Sequence, residues 1–195
     1  MNRPIVKEER TAQILDAFEA CVARYGVEGA TLAKTAEQAG LARALIRHNV
    51  GNREHLLAAL VERFLENSSQ ATRAMVEALP DHNQTRTLVG WLFDPAYSNP
   101  QQVRVAGALI SASAGDEDLA RKMQSWLDDF VSALSQVMST EHPKAGADTT
   151  AAVAAGITGI YFNVEALYPL GSIAPFAKAS EEAALLLVKS LETAQ

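Results

Sequence analysis

Apolar residues recur at helical spacing along almost the whole chain, and this periodicity limits the fold more than any other feature. In the first segment, Ile14, Phe18, Val22 and Tyr25 lie at positions i, i+4, i+8 and i+11, which places them on one face of a helix. Strand-like alternation of apolar and polar residues is absent from the sequence. The pattern therefore predicts an all-α protein of about nine helices.

Breaks in the periodicity set the expected helix boundaries. Gly26 is a plausible C-cap, Thr31 is a good N-cap, and Asn52 is placed to cap the long helix that follows it. We expect helices over residues 7–25, 31–38, 42–49, 53–78, 83–93, 101–114, 116–140, 148–168 and 175–193. Neither internal repeats nor low-complexity segments interrupt them.

The composition narrows the class of protein. The single cysteine, Cys21, excludes an intramolecular disulfide framework and fits a reducing cytoplasm, and its apolar helical stripe predicts a packed core thiol. No apolar run approaches the ~18–20 residues needed to cross a bilayer. The N-terminal sequence MNRPIVKEER lacks the apolar core of a signal peptide. We therefore expect a soluble cytoplasmic protein with no membrane contact.

Charge is distributed unevenly along the chain. The formal net charge is −6, but residues 1–54 hold eight Lys and Arg against seven Asp and Glu, while the remaining residues hold nine against sixteen. A slightly basic head thus precedes an acidic body. This asymmetry fits a protein that touches DNA with one end and keeps the rest of itself off the phosphate backbone by repulsion.

One short segment contains two adjacent helices and a sharp turn. Residues 31–54 read TLAKTAEQAGLARALIRHNVGNRE, in which Gly40 stands where the turn needs positive φ or close backbone approach. The second helix carries Arg43, Arg47 and His48 within one arc of roughly 140°. The opposite, mostly apolar arc carries Ala42, Leu45, Ile46 and Asn49. Such a helix suits the major groove of DNA, although a helix pair with a solvated basic face is a common alternative.

The wider N-terminal pattern resembles a known family. The stretch RTAQILDAFEACVARYGVEGATLAKTAEQAGLARALIRHNVGNREHLLAAL is similar to the N-terminal domain of TetR-family transcriptional regulators. There a first helix ends in Tyr/Phe-Gly, a Thr opens the second helix, and an Ala-Gly turn leads into a recognition helix. The resemblance covers about the first 60 residues, and the body agrees only in helix count, length and order.

Four positions depart from the family pattern. Ala42 lacks the hydroxyl that usually caps the recognition helix, and Thr35 stands where a buried Ile is common. Arg47 and Val50 replace the usual Tyr and Phe, although Arg47 can still reach a phosphate. The lost cap and aromatic ring leave open a degenerate head that no longer binds DNA.

The resemblance implies that Thr31, His48 and Arg53 position the head on the DNA backbone. Arg53 lies at a helix N-terminus, whose free N–H groups also favour phosphate. The alternatives are a simple N-cap for Thr31 and a surface ion pair for Arg53. Lys7 and Arg10 are expected to reach flanking phosphates.

Arg43 is the candidate for a base contact, because it comes early in the recognition helix and Arg reads guanine bidentately. Ala44 would touch a thymine methyl group or simply allow close approach. Arg47 is expected to contact phosphate.

The body contains methionine and aromatic residues that suit an effector pocket. A helical body of this kind often holds a mostly apolar cavity, although half-buried core is the default role for each residue. The candidates for the pocket wall are Trp91, Met123, Trp126, Phe130, Tyr161 and Phe162, and those for its polar groups are Ser111, Ser113, Asn163 and Glu165. The acidic body favours a neutral or cationic, largely apolar effector.

The sequence contains no catalytic constellation. Its four histidines show no metal-ligand spacing, no Gly-rich loop is suited to phosphate, and the single cysteine has no evident His partner. We predict no enzyme activity, cofactor or metal.

We predict a DNA-binding domain over residues 1–54 and an effector-binding and dimerisation domain over 55–195. The protein is expected to be a homodimeric repressor, paired through its last two helices and released from a palindromic operator by a small molecule. The alternative is a helical small-molecule- or partner-binding protein whose head has lost DNA affinity.

Overall fold

A computed structural model describes the backbone of residues 3–193 and the side chains of residues 8–192. The described residues form nine α-helices, which confirms the all-α prediction: α1 (Arg3–Gly29), α2 (Leu32–Ala39), α3 (Arg43–Val50), α4 (Arg53–Glu77), α5 (Gln84–Phe93), α6 (Pro100–Ala112), α7 (Glu117–Glu141), α8 (Ala147–Leu167) and α9 (Ala174–Thr193). Short 3-10 turns cover Pro95–Tyr97, Ser113–Gly115 and Tyr168–Leu170.

The first helix differs from its predicted bounds of 7–25. It begins at Arg3 and is kinked at Gly26, which has φ 71° and ψ 173°, before a further helical turn to Gly29. Gly26 therefore interrupts the helix as predicted, but one more turn follows it. A residue with a Cβ adopts this positive φ only at a cost, which explains glycine at the kink.

The described residues divide into two compact units. The first comprises residues up to Asn67 together with Gln101–Met123, and the second comprises Ser68–Pro100 and the chain from Gln124 onward. In the first unit, α1 packs on α2 and α3. Ile14, Phe18 and Val22, on the predicted face of α1, are fully buried.

Ion pairs join α1 to α4 within the first unit. The guanidinium of Arg63 pairs with Asp16 at 2.6 Å and also with Glu19. Nη2, the Arg63 nitrogen that pairs with Glu19, also donates to the carbonyl oxygen of Leu15 at 3.1 Å. These contacts fix the middle of α1 against the first half of α4.

The second unit has its own apolar core. Its helices α5, α7, α8 and α9 each contribute buried side chains, which include Leu88, Leu92, Leu134, Met138, Ile157, Val164, Val188 and Leu191. Met75 and Val76, at the end of α4, pack against this core. The burial accounts for the apolar composition of α5, α8 and α9.

The stretch Ala147–Leu170 is long and apolar enough to span a membrane by length and composition. The expectation that no apolar run approaches that length is therefore wrong. Frequent Ala, Gly and Thr residues obscured the run in the sequence. Ile157 and Val164 of this stretch are buried within the core of the second unit, so packing on neighbouring helices accounts for part of its apolar character.

Candidate nucleic-acid interface and aromatic cluster

The proposed recognition helix α3 presents its polar face to solvent. Arg43, Ala44, Arg47 and His48 are all exposed. Ile46 is the one buried residue of α3 in the described structure, and it is completely inaccessible. The structure therefore brings the four predicted DNA-contacting residues of α3 onto one accessible surface, which we call the basic face.

The packing face of α3 is narrower than predicted. Leu45 is 41% exposed although the sequence placed it against the core. Asn49 donates from Nδ2 to the carbonyl oxygen of Leu45 at 2.7 Å. This hydrogen bond lies within α3 and does not join α3 to another helix. Ala42, at the N-cap, provides no side-chain hydrogen bond, as the sequence indicated. The first unit thus holds α3 mainly through Ile46.

The turn between α2 and α3 is built as predicted. Gly40 adopts the left-handed conformation with φ 65°, and its N–H donates to the carbonyl oxygen of Glu37 at 3.1 Å. Leu41 donates to the carbonyl oxygen of Ala36 at 2.9 Å, which closes the helix end. From α1, the Gln13 amide donates to the carbonyl oxygen of Ala39 at 3.0 Å and anchors the turn.

The start of α2 is capped by Thr31. Its hydroxyl accepts a hydrogen bond from the backbone N–H of Lys34 at 3.3 Å, and the residue remains exposed. Thr35 is fully buried where the family commonly has Ile, and its hydroxyl donates to the carbonyl oxygen of Thr31 at 2.9 Å. The backbone therefore satisfies the polar group that this departure introduces into the core.

The Arg53 side chain forms hydrogen bonds and an ion pair within the first unit. Its Nε donates to the carbonyl oxygen of Ala30 at 3.2 Å, and Nη2 donates to that of Val27. A carboxylate oxygen of Glu28 lies 3.7 Å from Nη2. The surface ion pair left open by the sequence is therefore present. Two carbonyl hydrogen bonds, which the sequence did not indicate, accompany it.

Four of the six predicted pocket residues contact one another in the second unit. Trp126 stacks on Phe162 with ring centroids 5.4 Å apart and planes at 8°. Phe130 lies 5.6 Å from Phe162 and 6.2 Å from Tyr161. Phe93 meets Tyr161 edge to face at 6.1 Å. We call these five residues the aromatic cluster.

The structure does not place the other two predicted pocket residues in this cluster. Trp91 instead lies 5.6 Å from Tyr97. Met123 belongs to the first unit, where it is buried. Helical spacing along α7 suggested that Met123 and Trp126 share a pocket, but the division between units falls between them.

A buried carboxylate adjoins the aromatic cluster. Glu165 on α8 is 5% exposed, and its Oε2 accepts a hydrogen bond from the Ser98 hydroxyl at 2.9 Å. Burial raises the pKa of Glu165 above its usual range, and this hydrogen bond lowers it by less. Burial together with the nearby Glu165 also raises the pKa of Tyr161 and of Tyr168.

Curated relatives of this chain are transcriptional regulators, although no family model matches it. The HTH-type transcriptional regulator BetI of Serratia proteamaculans is 28% identical over 156 residues, which is 78% of this chain and 79% of the relative. The HTH-type transcriptional repressor AcnR of Corynebacterium jeikeium is 37% identical over 84 residues, which is 42% of this chain and 41% of the relative.

Solved structures share the fold at low sequence identity. A putative transcriptional regulator from Pseudomonas aeruginosa has a TM-score of 0.76 at 18% identity and covers 95% of this chain and 91% of its own. A putative TetR-family regulator from Rhodococcus has a TM-score of 0.62 at 19% identity, covering 94% and 98%. FadR from Bacillus subtilis, solved with stearoyl-CoA, has a TM-score of 0.62 at 17% identity, covering 92% and 98%.

This chain is similar in sequence to HTH-type transcriptional regulators and shares its fold with TetR-family regulators. The similarity extends over most of the chain, whereas the resemblance seen in the sequence covered only the N-terminal segment. The helix-turn-helix geometry and the relatives agree on a DNA-binding transcriptional regulator. The individual contacts of Thr31, Arg43, Ala44, Arg47, His48 and Arg53 with DNA stay predictions, and the side chain of Lys7 lies outside the described residues.

Sequence reasoning gave too little weight to one residue of this site and missed another. Glu165 was named only among four polar candidates, and Ser98 was not considered. The helical spacing of Ile157, Tyr161 and Glu165, each four residues apart, could have placed the carboxylate on an inward face. Ser98 lies in a loop 67 residues earlier, and nothing in its local sequence signals the contact.

Proposed function

We propose that this protein is a homodimeric repressor that leaves a palindromic operator when a small, largely apolar effector binds the second unit. The observation that carries the proposal is the basic face of α3, an exposed row of Arg43, Arg47 and His48 opposite the buried Ile46. Arginine at the start of such a helix can read guanine, and the later cations can contact phosphate.

We expect dimerisation because the recognition helix α3 is short. An eight-residue helix gives few base contacts, so two heads on a palindrome are expected for specific affinity. A face of small or apolar residues on α8 and α9 supports pairing through these helices, and its exposed members are Ala151, Ala152, Ala155, Gly159, Ala183 and Leu186. Leu191 of α9 is fully buried within its own unit and does not belong to this exposed face.

The effector would act by favouring a state that binds DNA poorly. FadR from Bacillus subtilis was solved with stearoyl-CoA, so this fold can hold a ligand with a long apolar chain. The aromatic cluster supports an apolar site in the second unit of this protein. A ligand that binds the DNA-incompetent state ~100-fold more tightly supplies about 2.7 kcal/mol of coupling. Helix α4, continuous from Arg53 to Glu77, is the element we expect to transmit it.

Binding to the intergenic DNA upstream of its own gene tests the proposal. Fluorescence anisotropy should show specific binding that exceeds binding to a shuffled duplex by ~10³-fold or more, with steep salt dependence. Equal, weak binding to both duplexes would favour the alternative, a helical ligand- or partner-binding protein with a degenerate head. A cytoplasmic location and the lack of enzyme activity are part of the same proposal.

A further inference from the structure

Glu165 is buried without a cation beside it. The Ser98 hydroxyl donates the hydrogen bond found at this carboxylate, and no Lys, Arg or His in the described part of the chain forms an ion pair with it. Removing a carboxylate from water is costly unless a positive charge or several hydrogen bonds replace the lost hydration. An acidic residue kept at such a position requires an explanation.

The surroundings of Glu165 are aromatic. Tyr161 lies one helical turn before it on α8, and both Tyr161 and Tyr168 are close enough to sense its charge. Tyr161 in turn contacts Phe93, Phe130 and Phe162, so the carboxylate adjoins the aromatic cluster. Aromatic faces attract cations through the ring quadrupole, and a carboxylate adds the full counter-charge.

We propose that Glu165 and the aromatic cluster form a binding site for an organic cation of the alkylammonium class. The carboxylate would serve as the counter-ion, and the rings would contact the alkyl groups. The proposal rests on the effector response described above and names the chemical class of that effector. A bound cation would offset the cost of ionising this buried carboxyl group, which a neutral ligand cannot do, and an anion would be repelled by the ionised group.

Ligand entry must separate rings that now touch. Trp126 and Phe162 stack at 5.4 Å, a spacing with no room for an alkylammonium group between them. A cation reaching the cluster is therefore expected to displace one ring from the other. Because indole fluorescence responds to the groups stacked on it, Trp126 should report binding directly, with Trp91 as the second tryptophan of the chain.

The experiment compares two probes of nearly identical shape. Benzyltrimethylammonium and its neutral isostere neopentylbenzene, in which carbon replaces the charged nitrogen, are titrated into the full-length protein without DNA. Tryptophan fluorescence and calorimetry follow binding, and a Trp91→Phe variant assigns the signal to Trp126. We expect the cation to bind at least ~10-fold more tightly than the isostere, as a charge-assisted contact implies.

Matched substitutions test whether the Glu165 carboxylate causes the preference for the cation over its neutral isostere. Glu165→Gln keeps the shape of the side chain and should abolish the preference for the cation. Glu77→Gln, at an exposed position of the same unit, should leave the preference intact. Ser98→Ala provides a second variant that perturbs the carboxylate without replacing it, and it should alter cation affinity. Circular dichroism and melting curves establish that each variant is folded.

Three results would overturn the proposal: no binding of the cation, equal binding of the two probes, or a cation preference that persists in folded Glu165→Gln. None of them would refute the regulator itself, because operator binding is measured separately and without a probe. Conversely, loss of operator binding with an intact cation preference would refute the repressor proposal and leave this site standing.

Discussion

The Nε–H group of Arg53 donates to the carbonyl oxygen of Ala30 across 3.2 Å, which joins the first residue of α4 to the connection between α1 and α2. Val27 accepts a second hydrogen bond from the same guanidinium. A residue assigned by family resemblance to DNA phosphate thus also holds the head together. Its two possible roles make different predictions.

Replacement of Arg53 distinguishes its role in stabilising the fold from its predicted contact with DNA phosphate. We expect Arg53→Ala to lower the free energy of unfolding by about 1–3 kcal/mol, because the carbonyl groups of Val27 and Ala30 lose a charged donor. If Arg53 also contacts phosphate, the variant should bind all DNA sequences more weakly and show a smaller salt slope. Chemical denaturation and anisotropy measure the two effects, with Arg73→Ala as an exposed control. A stability loss with an unchanged salt slope would leave Arg53 a purely structural role.

Arg43 is predicted to read a base. Because its side chain is exposed and lies early in α3, Arg43→Ala should weaken operator binding by about 1–3 kcal/mol and relax specificity at one base position. Stability should stay unchanged. Binding to a panel of operators with single base-pair changes checks this, again beside Arg73→Ala. Unchanged affinity for both operator and random DNA would show that α3 is not the recognition helix.

Ile46 and Leu45 form a matched pair in α3. Ile46 is fully buried, so Ile46→Ala should cost about 2–5 kcal/mol of stability. Leu45 is 41% exposed, and Leu45→Ala should change stability by only about 0.5 kcal/mol. Urea denaturation of the two variants gives the comparison. Similar losses for both would mean that the helix packs on the face predicted from the sequence and not through Ile46.

Leu186 tests the proposed dimer. It is 63% exposed on α9, and an arginine there would bring two positive charges into a symmetric interface. Sedimentation at micromolar concentration should report a dimer for the wild type and a monomer for Leu186→Arg. Leu170→Arg, at another exposed leucine, is the control. Substitution of Gly156 is less informative, because a Cβ there would lie 3.0 Å from Leu187 of the same chain.

Glu165 should make stability depend on pH. Burial raises its pKa in the folded protein, and the Ser98 hydrogen bond opposes this shift. The folded state therefore holds this proton more tightly than the unfolded state. The resulting stabilisation is fully present below the unfolded pKa and is lost as pH rises through the folded pKa.

Melting temperatures measured at pH values above the ordinary pKa of Glu test the direction of this pH dependence. Glu165→Gln should lose less stability than the wild type as pH rises, because the amide does not ionise. Glu77→Gln should follow the wild type. If the Glu165→Gln curve ran parallel to that of the wild type, the carboxylate would not be the group responsible.

Local features of this fold could be predicted from the sequence because they depend on neighbours along the chain. Thr31 and Asn52 cap their helices as expected, and Gly40 supplies the left-handed residue of the turn. The basic face of α3 also follows from helical period alone. Helix number and order were predicted for the same reason, since periodicity and breaks are local signals.

Contacts between distant segments required the tertiary structure. Leu45 is apolar yet exposed, since the neighbouring helices bury Ile46 and leave Leu45 largely accessible. Arg53 reaches carbonyl groups more than twenty residues earlier in the chain, and Glu165 is buried beside Ser98 from a separate loop. Helical period fixes which residues share a face, but packing against other elements decides which face is buried and which carboxyl group is buried with it.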